Sequence, residues 1–259
     1  MKNSIKEHLA IFGCFLGLYI LQLYQMRFVV WLVRLHSNIS YVAAIFVMIS
    51  FAILVVVLYI RWAGRDKFSL NGISWRIWLY TFLLCFSHWL LVWTFYGHPI
   101  CLNESNFTYG TGVSIPFFDH IILSFNSIFC RPIYLVILFR GLLQNQLSKN
   151  IPGWISIAIT TILISLGSIK FLPDIFPSIL SGIFVGIIYH KTDKLTLCII
   201  YQSLYNLVRN TTIYSFEKDF TLFFFVLAVF LLVYALRGIM KYQIKKKNGF
   251  ATSIPSTIH

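Results

Sequence analysis

Residues 131–147 read RPIYLVILFRGLLQNQL. The stretch enters through Arg131-Pro132, is apolar from Ile133 to Phe139, and passes Arg140-Gly141 into a tail with Gln144, Asn145 and Gln146. A helix is predicted here, with proline near its start, where a missing N–H costs least, and Arg140 close to its end. The apolar part belongs to a membrane span rather than to a soluble core, and the rest of the chain decides that point.

Of 259 residues, 58% are hydrophobic and 11% charged, and mean hydropathy is +0.79. A soluble domain ordinarily carries roughly 25% charged residues. Apolar runs recur from end to end, long enough to cross ~30 Å of hydrocarbon. The composition predicts an all-α, polytopic membrane protein of about eight transmembrane helices, at 9–33, 41–60, 77–96, 116–139, 152–170, 175–189, 195–207 and 220–236. The sixth and seventh runs are short for independent spans and need tilt or burial among neighbours. Lys2 and Lys6 precede the first apolar run, but no small-residue cleavage site follows it, so it reads as a retained span rather than a signal peptide.

The net charge of +13 does not point to nucleic acid, because the basic residues lie between apolar runs instead of on one dense face. Alternate connections hold most of them: Lys2 and Lys6; Arg61, Arg65, Lys67 and Arg76; Arg140 and Lys149; Lys191 and Lys194; then Arg237, Lys241 and Lys245-Lys246-Lys247. The other connections hold Arg34, Lys170, Arg209 and Lys218, and the polar loop 97–114 has no Lys or Arg. An even number of spans with both termini cytoplasmic satisfies the positive-inside rule. The final lysine run could bind anionic lipid or a partner; anchoring the last helix is the simpler role.

The sequons at Asn103 and Asn106 are too short to weigh, and the five cysteines, without a CxxC, read as small hydrophobes rather than a disulfide or zinc framework. No linker or repeat interrupts the chain. It reads as one integral membrane domain over 1–259, with N-terminal helices and an outer loop (9–113), a core (114–215), and a last helix with a basic tail (216–259).

Ionisable residues inside spans face protein or a water-filled cavity. The candidates are His88, Asp119, His120, Arg131 and Arg140, with Lys170 closing the fifth span. Asp119-His120 could form a proton relay or part of a metal site. Neighbouring helix positions diverge by about 100°, however, and the pair lies near the outer interface, where polar groups cost little. His88, beside Trp89, reads as a hydrogen-bonded packing residue. HExxH, GxSxG, an intramembrane GxGD aspartate and a phosphate loop are all absent from the sequence, and no metal or cofactor is implied.

Residues 131–208 nevertheless resemble the CPBP family, the CAAX proteases and bacteriocin-processing enzymes also called Abi. That family carries a Glu-Glu pair, three residues, then Arg-Gly, after a proline and with an aromatic before the arginine. PIYLVILFRGLLQ keeps Pro132, Phe139, Arg140, Gly141 and the following Leu-Leu-Gln, with Leu135 and Val136 in the glutamate positions. The family's Phe-x-x-x-His is matched best by Leu166 to Lys170, where both residues differ. SGIFVGIIYHKTDKLTLCIIYQSLYN matches a Gly-containing helix, a tyrosine-basic-threonine turn and a helix ending His-x-x-x-Asn, with Gln202 in the histidine position and Asn206 retained.

The resemblance implies a CAAX-protease-like helical core whose glutamates and histidines would activate water. Leu135, Val136 and Gln202 cannot take a proton near neutral pH, and Lys170 ordinarily stays protonated. The expectation is a pseudoprotease, leaning away from enzyme activity. It would sit in a bacterial cytoplasmic membrane, in contact with lipid, and bind another membrane protein or a peptide. Similar family members act in bacteriocin self-immunity or as membrane scaffolds. Two alternatives stay open: an active CAAX-type endopeptidase using His88, Asp119 and His120, and a transporter component with helices broken at Pro132, Pro152, Pro173 and Pro177. Under the binding reading Arg140 lines a cavity with Gln202 and Asn206; under the simpler one it snorkels at the inner interface and caps helix carbonyls.

Overall fold

A computed structural model of the chain describes residues 2–70, 72–96, 107–109, 113–115, 117–167, 175–211 and 221–250. Helices α1 (Lys2–Val33), α2 (Asn38–Ala63) and α3 (Trp75–Tyr96) come first. Strands β1 (Phe107–Tyr109) and β2 (Val113–Ile115) then pair antiparallel, a small hairpin within the polar loop. One long rod follows, made of α4 (Phe117–Phe125), a π-helical turn (Asn126–Cys130), α5 (Arg131–Val136), a second π segment (Ile137–Gln144) and α6 (Asn145–Leu147). Helices α7 (Gly153–Gly167), α8 (Ile175–Thr192), α9 (Leu195–Thr211) and α10 (Thr221–Phe250) complete the described chain. The fold is all-α apart from the hairpin.

Among the described residues, six helices are long and apolar enough to cross a membrane: Ala10–Val33, Asn38–Ala63, Trp75–Thr94, Ile121–Leu147, Ile175–Thr192 and Leu222–Tyr242. Gly153–Leu166 and Leu195–Val208 are shorter apolar helices. The protein is a multi-pass membrane protein, and these eight segments fall on the eight expected runs. Among them the fifth and seventh are short rather than the sixth and seventh. The sixth gains length because α8 runs on through Lys191-Thr192 until Asp193 adopts a left-handed φ of 56°. The last helix also differs from expectation. Its backbone stays helical to Phe250, past the expected end at 236, and so includes Lys245 to Lys247.

Cap chemistry and loop contacts sort the ends into two faces. Ser37 and Ser40 exchange side-chain and backbone hydrogen bonds in a capping box that starts α2. Beside it Tyr41 donates to Asp119 at the start of the rod, 2.6 Å away, and His36 lies 3.4 Å from the same carboxylate. At the opposite ends, the α2–α3 connection meets the α8–α9 turn. Lys67 pairs with Asp193, Lys194 donates to the Asp66 carbonyl, and Thr196 donates to the Phe68 carbonyl. Tyr242 of α10 donates to the Gly72 carbonyl on this face as well. Two of the connections that the sequence assigned to one side, α2–α3 and α8–α9, therefore meet in the fold.

The rod is the centre. Tyr134, Ile137, Leu138 and Arg140 on it are fully buried, enclosed by α1 and α2 on one flank and α7, α8 and α9 on the other. Large apolar residues such as Phe46 on α2 and Phe223 and Phe230 on α10 are exposed, as lipid-facing surfaces require. Pro132 does not begin a helix, as its place in the sequence suggested; it lies inside the rod. A mid-helix proline removes a donor and crowds the carbonyl four residues back, and the wider π turn at Asn126–Cys130 stands immediately before it.

Gly141 lets α2 approach the rod closely. A Cβ there would lie 2.6 Å from Cε2 of Tyr59, whose ring is buried and packed edge-on against Trp62 and Phe68. Overpacking of this kind typically costs about 1–3 kcal/mol. Gly141→Ala is expected near the lower end, about 1–2 kcal/mol, read as a lowered unfolding midpoint in detergent. An unchanged midpoint would show that the Tyr59 ring yields freely.

Candidate functional site

The second π segment decides where Arg140 points. The rod does not close at Phe139-Arg140-Gly141; it continues for another turn, so Arg140 and Gln144, four residues apart, both face α8. Arg140 donates through Nη2 to the Gly182 carbonyl and Gln144 donates through Nε2 to the Gly186 carbonyl, 3.1 Å away. The two i, i+4 pairs thus dock on each other, and the glycines allow it: a Cβ on Gly186 would lie 3.1 Å from Nη1 of Arg140. Arg140 Nη1 also donates to Gln144 Oε1 at 2.9 Å and to Thr160 Oγ1 on α7. With no exposed surface, Arg140 does not snorkel, which corrects the simpler expectation. Neutral oxygens from three helices draw it inward.

Beside this network lies a cavity of about 80 Å³ whose wall includes Arg131, Leu135, Val136, Arg140, Gln202 and Asn206. Five of the six positions matched to the family motifs therefore meet at one cavity. The sixth, Lys170, lies outside the described residues. Ser181 and Tyr205 also line it. Gln202 Oε1 accepts from Ser181 Oγ at 2.6 Å, and Asn206 Nδ2 donates to the Ser127 carbonyl at 2.7 Å. That carbonyl belongs to the first π turn. Gln202 Nε2 reaches Asn206 Oδ1 at 3.5 Å, a long contact on one helix face.

The remaining polar candidates lie elsewhere. His88 is fully buried on α3, shares a 2.9 Å hydrogen bond with the Tyr201 hydroxyl and stacks on Tyr205 at 4.0 Å between ring centroids. It packs behind the cavity wall. Asp119 is buried at the start of the rod, where Tyr41 and His36 cover its carboxylate. The His120 side chain lies outside the described residues. Among the described residues no three His, Cys, Asp or Glu side chains gather as a metal site. Cys85, Cys130 and Cys198 are buried and unpaired, whereas Cys14 is exposed on α1 instead of buried.

Sequence reasoning did not find Thr160, Ser181 or Gln144. Gln144 had a signal in its i, i+4 spacing from Arg140. Ser156, Thr160 and Thr161 are polar interruptions of an apolar helix and all buried, the pattern by which membrane helices hydrogen-bond across an interface.

Fold and site together define a multi-pass helical membrane protein with a cavity at its buried central rod. Residues 117–208, the rod through α9, match the family model described as type II CAAX prenyl endopeptidase Rce1-like, and this segment is CAAX-protease-like. No curated protein and no solved structure matches the chain.

Proposed function

We propose that the chain is a non-catalytic CAAX-protease-like membrane protein that binds a peptide or part of another membrane protein at this cavity. The observation that carries the reading is the chemistry of the lining. Where the family places its carboxylates and a histidine, the wall presents Leu135, Val136 and Gln202. None of the three takes a proton near neutral pH, so none can serve as a general base. The donors Arg140, Gln202 and Asn206 still suit the oxygens of a bound peptide. On the positive-inside rule the basic face and both termini are cytoplasmic, and the membrane is a bacterial plasma membrane. Bacteriocin self-immunity or scaffolding of a membrane regulator are the roles that fit.

The test uses the protein in lipid nanodiscs with a fluorescent prenylated CAAX-type peptide. A saturable rise in anisotropy is expected, without product above the protein-free background. Release of the C-terminal tripeptide, lost on Asn206→Ala, would overturn the proposal. It would select active endopeptidase chemistry instead, the reading that the family match favours.

A further inference from the structure

The two ends of the cavity differ among the described residues. Arg140 donates to the Gly182 carbonyl and Gln144 to the Gly186 carbonyl. Four residues along the rod match four along α8, so the two helices run parallel. Both run toward the basic face, where α8 ends at Thr192 and Asp193 meets Lys67. Toward that face the space is filled. Arg140 and Gln144 are buried, and beyond them so are Ile188, Tyr189, Leu195 and Cys198. A path this way breaks both hydrogen bonds and parts the close packing at Gly182 and Gly186. Toward the other end the lining loosens. Arg131, Leu135, Ser178 and Gln202 are only partly buried. Ser178 stands in the first turn of α8, the end farthest from Asp193. Ionisable groups within a membrane protein face its interior or a water-filled cavity, so an opening flanked by Arg131 and Ser178 is a hydrated one.

We infer that the cavity is entered from the end opposite the basic face, past Arg131 and Ser178, and takes the tip of a peptide presented at that surface of the membrane. This deepens the binding reading and rests on it, by naming the side from which the peptide arrives. On the positive-inside rule that side is the non-cytoplasmic one. The mouth suits such a ligand: Arg131 and Ser178 donate to peptide oxygens, while Leu135 meets an apolar side chain. A cavity of about 80 Å³ receives one side chain rather than a length of chain, since a liquid water takes about 30 Å³.

The experiment maps thiol access to the whole protein in sealed membrane vesicles, right-side-out and inverted. Cys14→Ser with Cys101→Ser forms the background, because Cys85, Cys130 and Cys198 are buried and buried thiols are inert. Ser178→Cys reports the mouth. Asn150→Cys reports the basic face: it is exposed in the α6–α7 connection, three residues before Gly153, which abuts His190 near the end of α8. A membrane-impermeant maleimide is expected to label Ser178→Cys in the vesicles that leave Asn150→Cys unlabelled, with its labelling lost in the other orientation. Arg131→Cys, at a second partly exposed lining position, is expected to follow Ser178→Cys and keeps the test open if that variant does not fold. Labelling of the lining cysteine from the same side as Asn150→Cys, or from neither side, overturns the inference. Labelling of Asn150→Cys from outside the cell overturns only the orientation, and a peptide that fails to bind in nanodiscs leaves the labelling pattern unchanged, so either reading can fail without the other.

Discussion

Gly186→Leu is expected to destabilise the folded protein by roughly 3 kcal/mol or more. A Cβ at this position would lie 2.7 Å from Cγ2 of Ile157 and 3.1 Å from Nη1 of Arg140. The first atom belongs to a branched side chain buried in α7, which has little freedom to retreat. Moving the second pulls the guanidinium off the Gly182 carbonyl and disturbs the Gln144 contact to Gly186. Overpacking alone costs about 1–3 kcal/mol, and a hydrogen bond from a charged donor contributes about 1.5–3. For a chain of this size a loss of about 3 kcal/mol corresponds to a fall of roughly 6–12 °C in the unfolding midpoint. Gly186→Ala brings only the contacts of the Cβ itself and is expected to lose about 1–2 kcal/mol. Circular dichroism in detergent checks both, and equal midpoints for Gly186→Leu and wild type would remove the docking of the rod on α8 from the account.

The membrane character and the number of apolar segments were legible because each rests on local composition: about 20 apolar residues make a span whatever surrounds them. The grouping of basic loops was legible for the same reason, and contacts such as Lys194 to the Asp66 carbonyl join those loops in space. The place of Pro132 inside the rod, and the choice between the two roles open for Arg140, were not legible because both positions depend on the rod's π turns. Such turns have no sequence period of their own, and a neighbouring helix donates to a carbonyl of the first, as Asn206 does to Ser127. The burial of Asp119 was hidden in the same way, since the hydroxyl that covers it comes from Tyr41, 78 residues earlier.

The convergence of Leu135, Val136, Arg140, Gln202 and Asn206 came from motif spacing, which survives when residue types change. Residues at i and i+4 share a helix face whatever they are, so Gln202 and Asn206 line the cavity together even with an amide in the histidine position. Thr160 carried no such marker. Its role exists only because α7 packs on α8, where Gly182 admits Thr161 to within 2.7 Å of a Cβ site.

Arg140→Ala is expected to cost about 3 kcal/mol, since truncating a fully buried side chain of this length leaves a void of the kind that costs about 2–5. The more informative variant is Arg140→Met, which keeps the apolar stem and removes the charge. Thr160 already donates to the Ser156 carbonyl at 2.8 Å, so it keeps a partner without the guanidinium. Gln144 keeps its bond to Gly186 and loses only the contact at Oε1. One stranded acceptor costs about 1–3 kcal/mol, while removing a cation from membrane depth returns about 2.5–3.5 on insertion scales. The two nearly cancel, and Arg140→Met is expected to stay within about 1 kcal/mol of wild type, as replacements of buried charges by apolar residues often do. If it does, the charge of Arg140 is not what holds the fold together. If Met destabilises as much as Ala, the guanidinium holds α7, α8 and the rod together, and its conservation of the family spacing is a matter of architecture alone.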